Sequence, residues 1–102
     1  MITRMWRGWT ASGDADAYEE FLLTDLFPEV SSLPGFVAAR ILRRALGAEE
    51  EFVTLVTFAS LDAVRAFAGE AYGTPVIEPE AERLLSRYED RAAHYETVPF
   101  SP

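Results

Sequence analysis

The chain has 102 residues, 49% hydrophobic and 25% charged, the profile of one globular domain and not of a disordered segment. Its net charge is −8, from 17 acidic and 9 basic side chains, all of the latter arginine; this disfavours nucleic acid and anionic membrane as partners and leaves no lysine for Schiff-base chemistry. The absence of cysteine excludes a disulfide framework and thiolate metal sites, and with no long apolar run and no signal-peptide pattern at its start the chain is expected to be cytoplasmic.

Ile2 to Thr10 reads as a strand, with Ile2, Arg4, Trp6 and Gly8 on one face and Thr3, Met5, Arg7 and Trp9 on the other. Ala11 to Asp14 is a turn; Asp14 or Asp16 is the helix N-cap, and Asp16 with Glu19 has capping-box spacing. Tyr18, Phe21, Leu22, Leu26 and Val30 recur at helical intervals and predict an amphipathic helix. Pro28 should kink or restart it, because proline supplies no backbone donor. Leu33-Pro34-Gly35 leads into a second strand, Phe36 to Arg44, and Leu46 to Glu49 is a hairpin turn, with Glu49-Glu50-Glu51 solvated. Phe52 to Ala59 is a third strand, near-continuous in apolar and β-branched residues. Ser60 caps a second helix with Leu61, Val64, Phe67 and Ala68 on one face. Gly69 to Pro79 is irregular, a short third helix spans Glu80 to Tyr88, and Ala92 to Val98 is the last strand.

This order is the ferredoxin-like βαββαβ plan, an α+β fold with an extra short helix before the last strand, in a single domain over residues 1–102. In a lone domain of this plan one sheet face meets water, and its strands alternate apolar and polar residues. Phe52 to Phe58 barely alternates, and the first strand carries a tryptophan on each face. Helices cover one face; a second copy's sheet is the economical cover for the other, which predicts a homodimer. The alternative is a buried central strand with a few tolerated exposed apolar groups.

Leu33-Pro34-Gly35-Phe36, the stretch from Glu51 to Phe67, and His94-Tyr95-Glu96 resemble the antibiotic biosynthesis monooxygenase family. The resemblance implies an antiparallel sheet pairing into a dimeric α/β barrel, with a pocket between sheet and helices. It also implies cofactor-independent oxidation of a small aromatic, polyketide- or quinol-like molecule by oxygen; some relatives degrade haem. Two positions depart from the family pattern. Active members commonly end the third strand with Trp and carry Asn earlier on it; by motif this chain has Phe58 and Thr54 there. The histidine that haem degraders place after the second helix has no counterpart in Gly69 to Pro79.

Oxygenation without a cofactor needs an acidic phenol or enol, a base or hydrogen-bond partner for its anion, and a dry aromatic pocket. The catalytic candidates are His94, Tyr72 and Arg40. His94, the only histidine, either deprotonates a phenol from the helix side of the sheet or is a structural group on a terminal strand. Tyr72 either closes over a ligand as part of a lid or pins the irregular segment. Arg40 and Arg4 either neutralise a substrate anion or pair with acidic neighbours. Trp6, Thr54 and Phe58 are the substrate-binding candidates, and at most one of Trp6 and Trp9 can line a given pocket because they sit on opposite faces. No residue pattern points to a metal or to a cofactor, and none to a phosphate loop or a serine hydrolase elbow. The competing functions are a non-catalytic dimeric barrel binding a small apolar ligand and, more remotely, an RNA-binding module of the same topology. The latter lacks the aromatic RNA-binding signature and has the wrong charge.

Overall fold

The computed structural model describes all 102 residues. Five strands, β1 (Ile2–Ala11), β2 (Phe36–Leu46), β3 (Glu49–Phe58), β4 (Leu85–Tyr88) and β5 (Ala93–Glu96), form one antiparallel sheet in the order β2-β3-β1-β4. β5 pairs with the Ile2–Met5 half of β1, alongside the half that holds β4. The helices are α1 (Ala15–Phe21), α2 (Phe27–Ser31), α3 (Leu61–Ala68) and α4 (Pro79–Leu84). The expected ferredoxin-like α+β fold is therefore present, and no helix is long and apolar enough to cross a membrane.

Several local expectations need correction. The first helix does not restart at Pro28: its turn widens to π geometry over Leu22–Leu26, just before the residue that lacks a donor, and runs on through Ser31. Asp14 makes no capping bond, and the Asp16/Glu19 box does not form, because both carboxylates turn to Arg43 on β2, at 3.2 and 3.0 Å. The three glutamates after the hairpin are not solvated turn residues. They open β3, and Glu51, 6% exposed, takes ion pairs from Arg7 and Arg44. The third helix stops at Leu84 and the chain turns extended as β4, where the Leu85 side chain is buried against Gly8 of β1. The last strand is Ala93–Glu96, shorter than read. Ser60 does cap α3, its hydroxyl accepting from the Ala63 N–H at 3.2 Å.

The register sorts the sheet into two faces. Arg4, Trp6 and Gly8 lie opposite Val56, Thr54 and Phe52 on the face that the helices cover. Phe52 packs with Tyr18, Phe21, Leu22, Ala81 and Leu84, and Phe58 packs with Val30, Ala63 and Val64. Gly35, at φ 88°, brings the chain from α2 into β2 so close to α3 that an added Cβ would stand 2.5 Å from that of Ala63. The other face carries Thr3, Met5, Arg7 and Trp9 against Thr57, Leu55, Val53 and Glu51. No helix covers it, and Leu42 and Tyr95 lie on it exposed.

Candidate functional site

Between the helix-covered face and the helical arm lies a cleft of about 590 Å³ counted out to solvent. Arg4 and Trp6 line it from β1, Thr54 and Val56 from β3, and Phe67 from α3. Tyr18, Phe21, Leu22, Leu26, Phe27 and Val30 line it from the arm; Val76, Glu78 and Ala81 close it from the segment entering α4.

Arg4 is the unusual group in this apolar wall. It is 5% exposed and takes part in none of the chain's ion pairs. Its partners are neutral: Nη1 donates to the Tyr72 carbonyl and meets His94 Nε2 at 3.0 Å, and Nη2 donates to the Thr74 carbonyl at 3.2 Å. The Phe67 ring lies 5.4 Å from its Cζ. Burial brings its pKa down to about 10, which leaves it charged at neutral pH. A buried cation held by neutral acceptors beside an aromatic cavity is complementary to an anion in that cavity.

His94 and Tyr72 stand together on the solvent side of Arg4, edge to face at 5.0 Å, in an outer polar cleft shared with Arg91 and Thr74. Burial, and after it the charge on Arg4, lowers the His94 pKa, so the ring is neutral at pH 7. Because Arg4 has only hydrogens to offer, Nε2 is the acceptor and the ring proton sits on Nδ1. The basic nitrogen of the only histidine is thus already engaged. The Tyr72 ring is covered by the Arg65 guanidinium at 5.7 Å, itself paired with Asp62 and Glu70.

Of the residues singled out from sequence, Trp6 and Thr54 line the cavity, with the Trp6 Nε1 donating to the Glu89 carbonyl at 2.7 Å. Trp9 lies on the opposite face under the Arg87 guanidinium, 4.0 Å from its centroid. Phe58 does not reach the cavity: it is fully buried, stacked on Phe67 and packed by Val64 behind it. Arg40, opposite Leu55, is on the uncovered face and does not join His94 and Tyr72. Sequence reasoning did not single out Tyr18, Phe27 or Glu78. Tyr18 read as part of an ordinary apolar helix stripe and Phe27 fell outside that stripe, while Glu78 carried one faint signal, a lone carboxylate between Val76-Ile77 and Pro79. Burial pushes the Tyr18 phenol up, so it stays protonated as a potential donor at the cavity wall.

No family model and no curated protein matches this chain. Solved structures do. SnoaB, a cofactor-independent oxygenase from Streptomyces nogalater, is 23% identical over 99% of this chain and 96% of its own, with a TM-score of 0.66. The ActVA-Orf6 monooxygenase of Streptomyces coelicolor, solved with the ligand nanaomycin D, is 12% identical over 99% and 91%, with a TM-score of 0.61. MhuD, a heme-degrader from Mycobacterium tuberculosis solved with two hemes in its active site, is 17% identical over 100% of both chains, with a TM-score of 0.61. A putative antibiotic biosynthesis monooxygenase from Bacillus cereus is 14% identical over 99% of this chain and 96% of its own, with a TM-score of 0.65, so the fold that the resemblance implied is shared along the whole chain. Identities this low carry the fold and not the reaction.

Proposed function

We propose that this chain is a cofactor-independent monooxygenase that oxidises a small, acidic aromatic molecule of polyketide or quinol type. One observation carries the reading: a buried, charged Arg4 without a counter-ion faces an apolar cavity walled by Trp6, Tyr18, Phe21, Phe27 and Phe67. The guanidinium stabilises a phenolate or enolate, and the surrounding rings keep water from competing for it. An electron-rich anion of this kind reduces oxygen directly. An anthrone and one O₂ give the quinone and one water, so the atoms balance without an added reductant. The fold shared with SnoaB and ActVA-Orf6, described as a cofactor-independent oxygenase and a monooxygenase, supports the assignment by analogy. Aerobic incubation with anthrone and related quinols should consume oxygen without flavin or metal; rates equal to the protein-free control across the panel refute the reading.

The uncovered sheet face supports a homodimer. Met5, Leu42, Leu55 and Tyr95 present apolar surface there, and Leu42 and Tyr95 are more than half exposed in the single chain. A monomeric mass by light scattering at micromolar concentration refutes it. A second reading, a binder of small apolar ligands with no chemistry, is favoured by the engagement of His94 Nε2 with Arg4, which leaves no free imidazole base. Tight binding of anthrone without oxygen uptake distinguishes it.

A further inference from the structure

We infer that Glu78 is the base of this site: its carboxylate takes the proton from an acidic aromatic substrate whose anion Arg4 then holds. The inference rests on the reading of the cavity given above and supplies what His94, engaged through Nε2, does not. Glu78 is the only carboxylate among the residues that line the cavity. It occupies the N-cap position of α4, yet its side chain makes no capping bond and no ion pair with any arginine. The Glu82 N–H donates to the Glu78 carbonyl at 3.0 Å, and four residues earlier the Thr74 carbonyl is held by Arg4. The same cavity therefore holds a cation and a carboxyl group that make no ion pair, with each other or with any other residue; the Glu78 side chain instead meets that of Glu29 on the helical arm.

Proton transfer between them creates no new charge. Arg4 cation, Glu78 carboxylate and neutral substrate become Arg4 cation, Glu78 acid and substrate anion. Negative charge moves from the mouth to the guanidinium, and the proton remains on Glu78 until oxygen reduction consumes it as water. The groups facing Glu78 suit it to this task. Asp25 and Glu29 on the helical arm are like charges, and Arg4 and Tyr18 are the other ionisable groups of the cavity wall. Burial first, then the charge of Glu29 and its hydrogen bond with the Glu78 side chain, and last the charge of Asp25, raise the Glu78 pKa and make the carboxylate a stronger base than an exposed one.

The test uses anthrone under anaerobic conditions, where ionisation is separated from oxidation and the anthrolate is read by its absorption. Wild-type protein should form the bound anion, at a rate that rises with pH through the titration of Glu78. Glu78→Gln should bind anthrone as judged by tryptophan quenching but ionise it about 10²-fold more slowly or worse, with that limb of the pH profile gone. Glu78→Asp keeps the charge but withdraws it by one methylene, so it should be intermediate; it carries the comparison if the glutamine variant does not fold. If Glu78→Gln ionises anthrone as fast as wild type, Glu78 is not the base and the reading of the cavity stands. If wild type binds anthrone without ionising it, the base and the oxygenase reading both fall.

Discussion

Replacing Arg4 with methionine removes the guanidinium while keeping an unbranched apolar stem, because methionine ends about where the Nε of arginine lies. The structure sets the size of the effect. Arg4 makes hydrogen bonds to the Tyr72 carbonyl, the Thr74 carbonyl and His94 Nε2. Bonds from a charged donor are worth about 1.5–3 kcal/mol each, so about 5–9 kcal/mol is lost in total. Against this stands the cost of burying the cation. The fall of its pKa from 12.5 to about 10 corresponds to a penalty of about 3 kcal/mol, which methionine does not incur. The balance predicts a destabilisation of about 2–6 kcal/mol, toward the low end if water from the outer cleft reaches the freed carbonyls. Urea unfolding followed by tryptophan fluorescence measures it. The midpoint should fall while the m-value stays that of a domain of this size. An unchanged midpoint means that the three bonds do no net stabilising and refutes the view that Arg4 clamps the 72–74 segment to the sheet.

Three further predictions follow from other parts of the molecule. His94 has a pKa held below its ordinary 6.5, so the unfolded chain binds a proton that the native one refuses, and its contribution to stability is lost as pH falls from 6.5 through the lowered value. The wild-type minus His94→Gln difference in unfolding free energy should shrink over that acid range; a flat difference shows that His94 is not held neutral. Gly35→Ala combines an unfavourable φ of 88° with a Cβ 2.5 Å from that of Ala63, and should cost about 2–4 kcal/mol in urea unfolding. A change below 0.5 kcal/mol or so contradicts the close approach of this turn to α3. Leu55→Arg, on the uncovered face, should convert the proposed dimer to monomer by light scattering without touching the cavity; a dimer that survives it pairs through some other surface.

The sheet was legible because its signals are local. β-branched and aromatic residues marked β1, a near-continuous apolar and β-branched run marked β3, and Gly47, with φ 64° at the hairpin, marked the turn between β2 and β3. The misreadings share a cause, the outvoting of a local preference by a partner distant in sequence. Asp16 and Glu19 have the spacing of a capping box, but Arg43 on β2 offers a stronger partner to both. Glu51 reads as surface until Arg7 and Arg44 flank it. Leu85 to Tyr88 continues a helical stripe until Gly8 on β1 leaves a slot for Leu85. At the site, strand periodicity correctly put Arg4 and Trp6 on one face, and nothing local said which face the helices cover. Phe58 has the same parity as Thr54 and Val56 on β3 and still misses the cavity, because Val64 and Phe67 of α3 lie over it. Glu78, only faintly marked in the sequence, was missed for the opposite reason: its significance lies in the carboxylates absent from the rest of the cavity wall, and that wall exists only after folding.

The most direct test of the account is the initial rate of oxygen uptake with anthrone at neutral pH, without flavin or metal, for wild type and Arg4→Met, below the unfolding temperature of both. Loss of a cation that stabilises the anion should lower the rate by about 10²–10³-fold. Wild type should consume one O₂ per anthrone. Equal rates for the two proteins, or a wild-type rate no greater than that of buffer, contradict the claim that a buried, uncompensated Arg4 is there to hold a substrate anion.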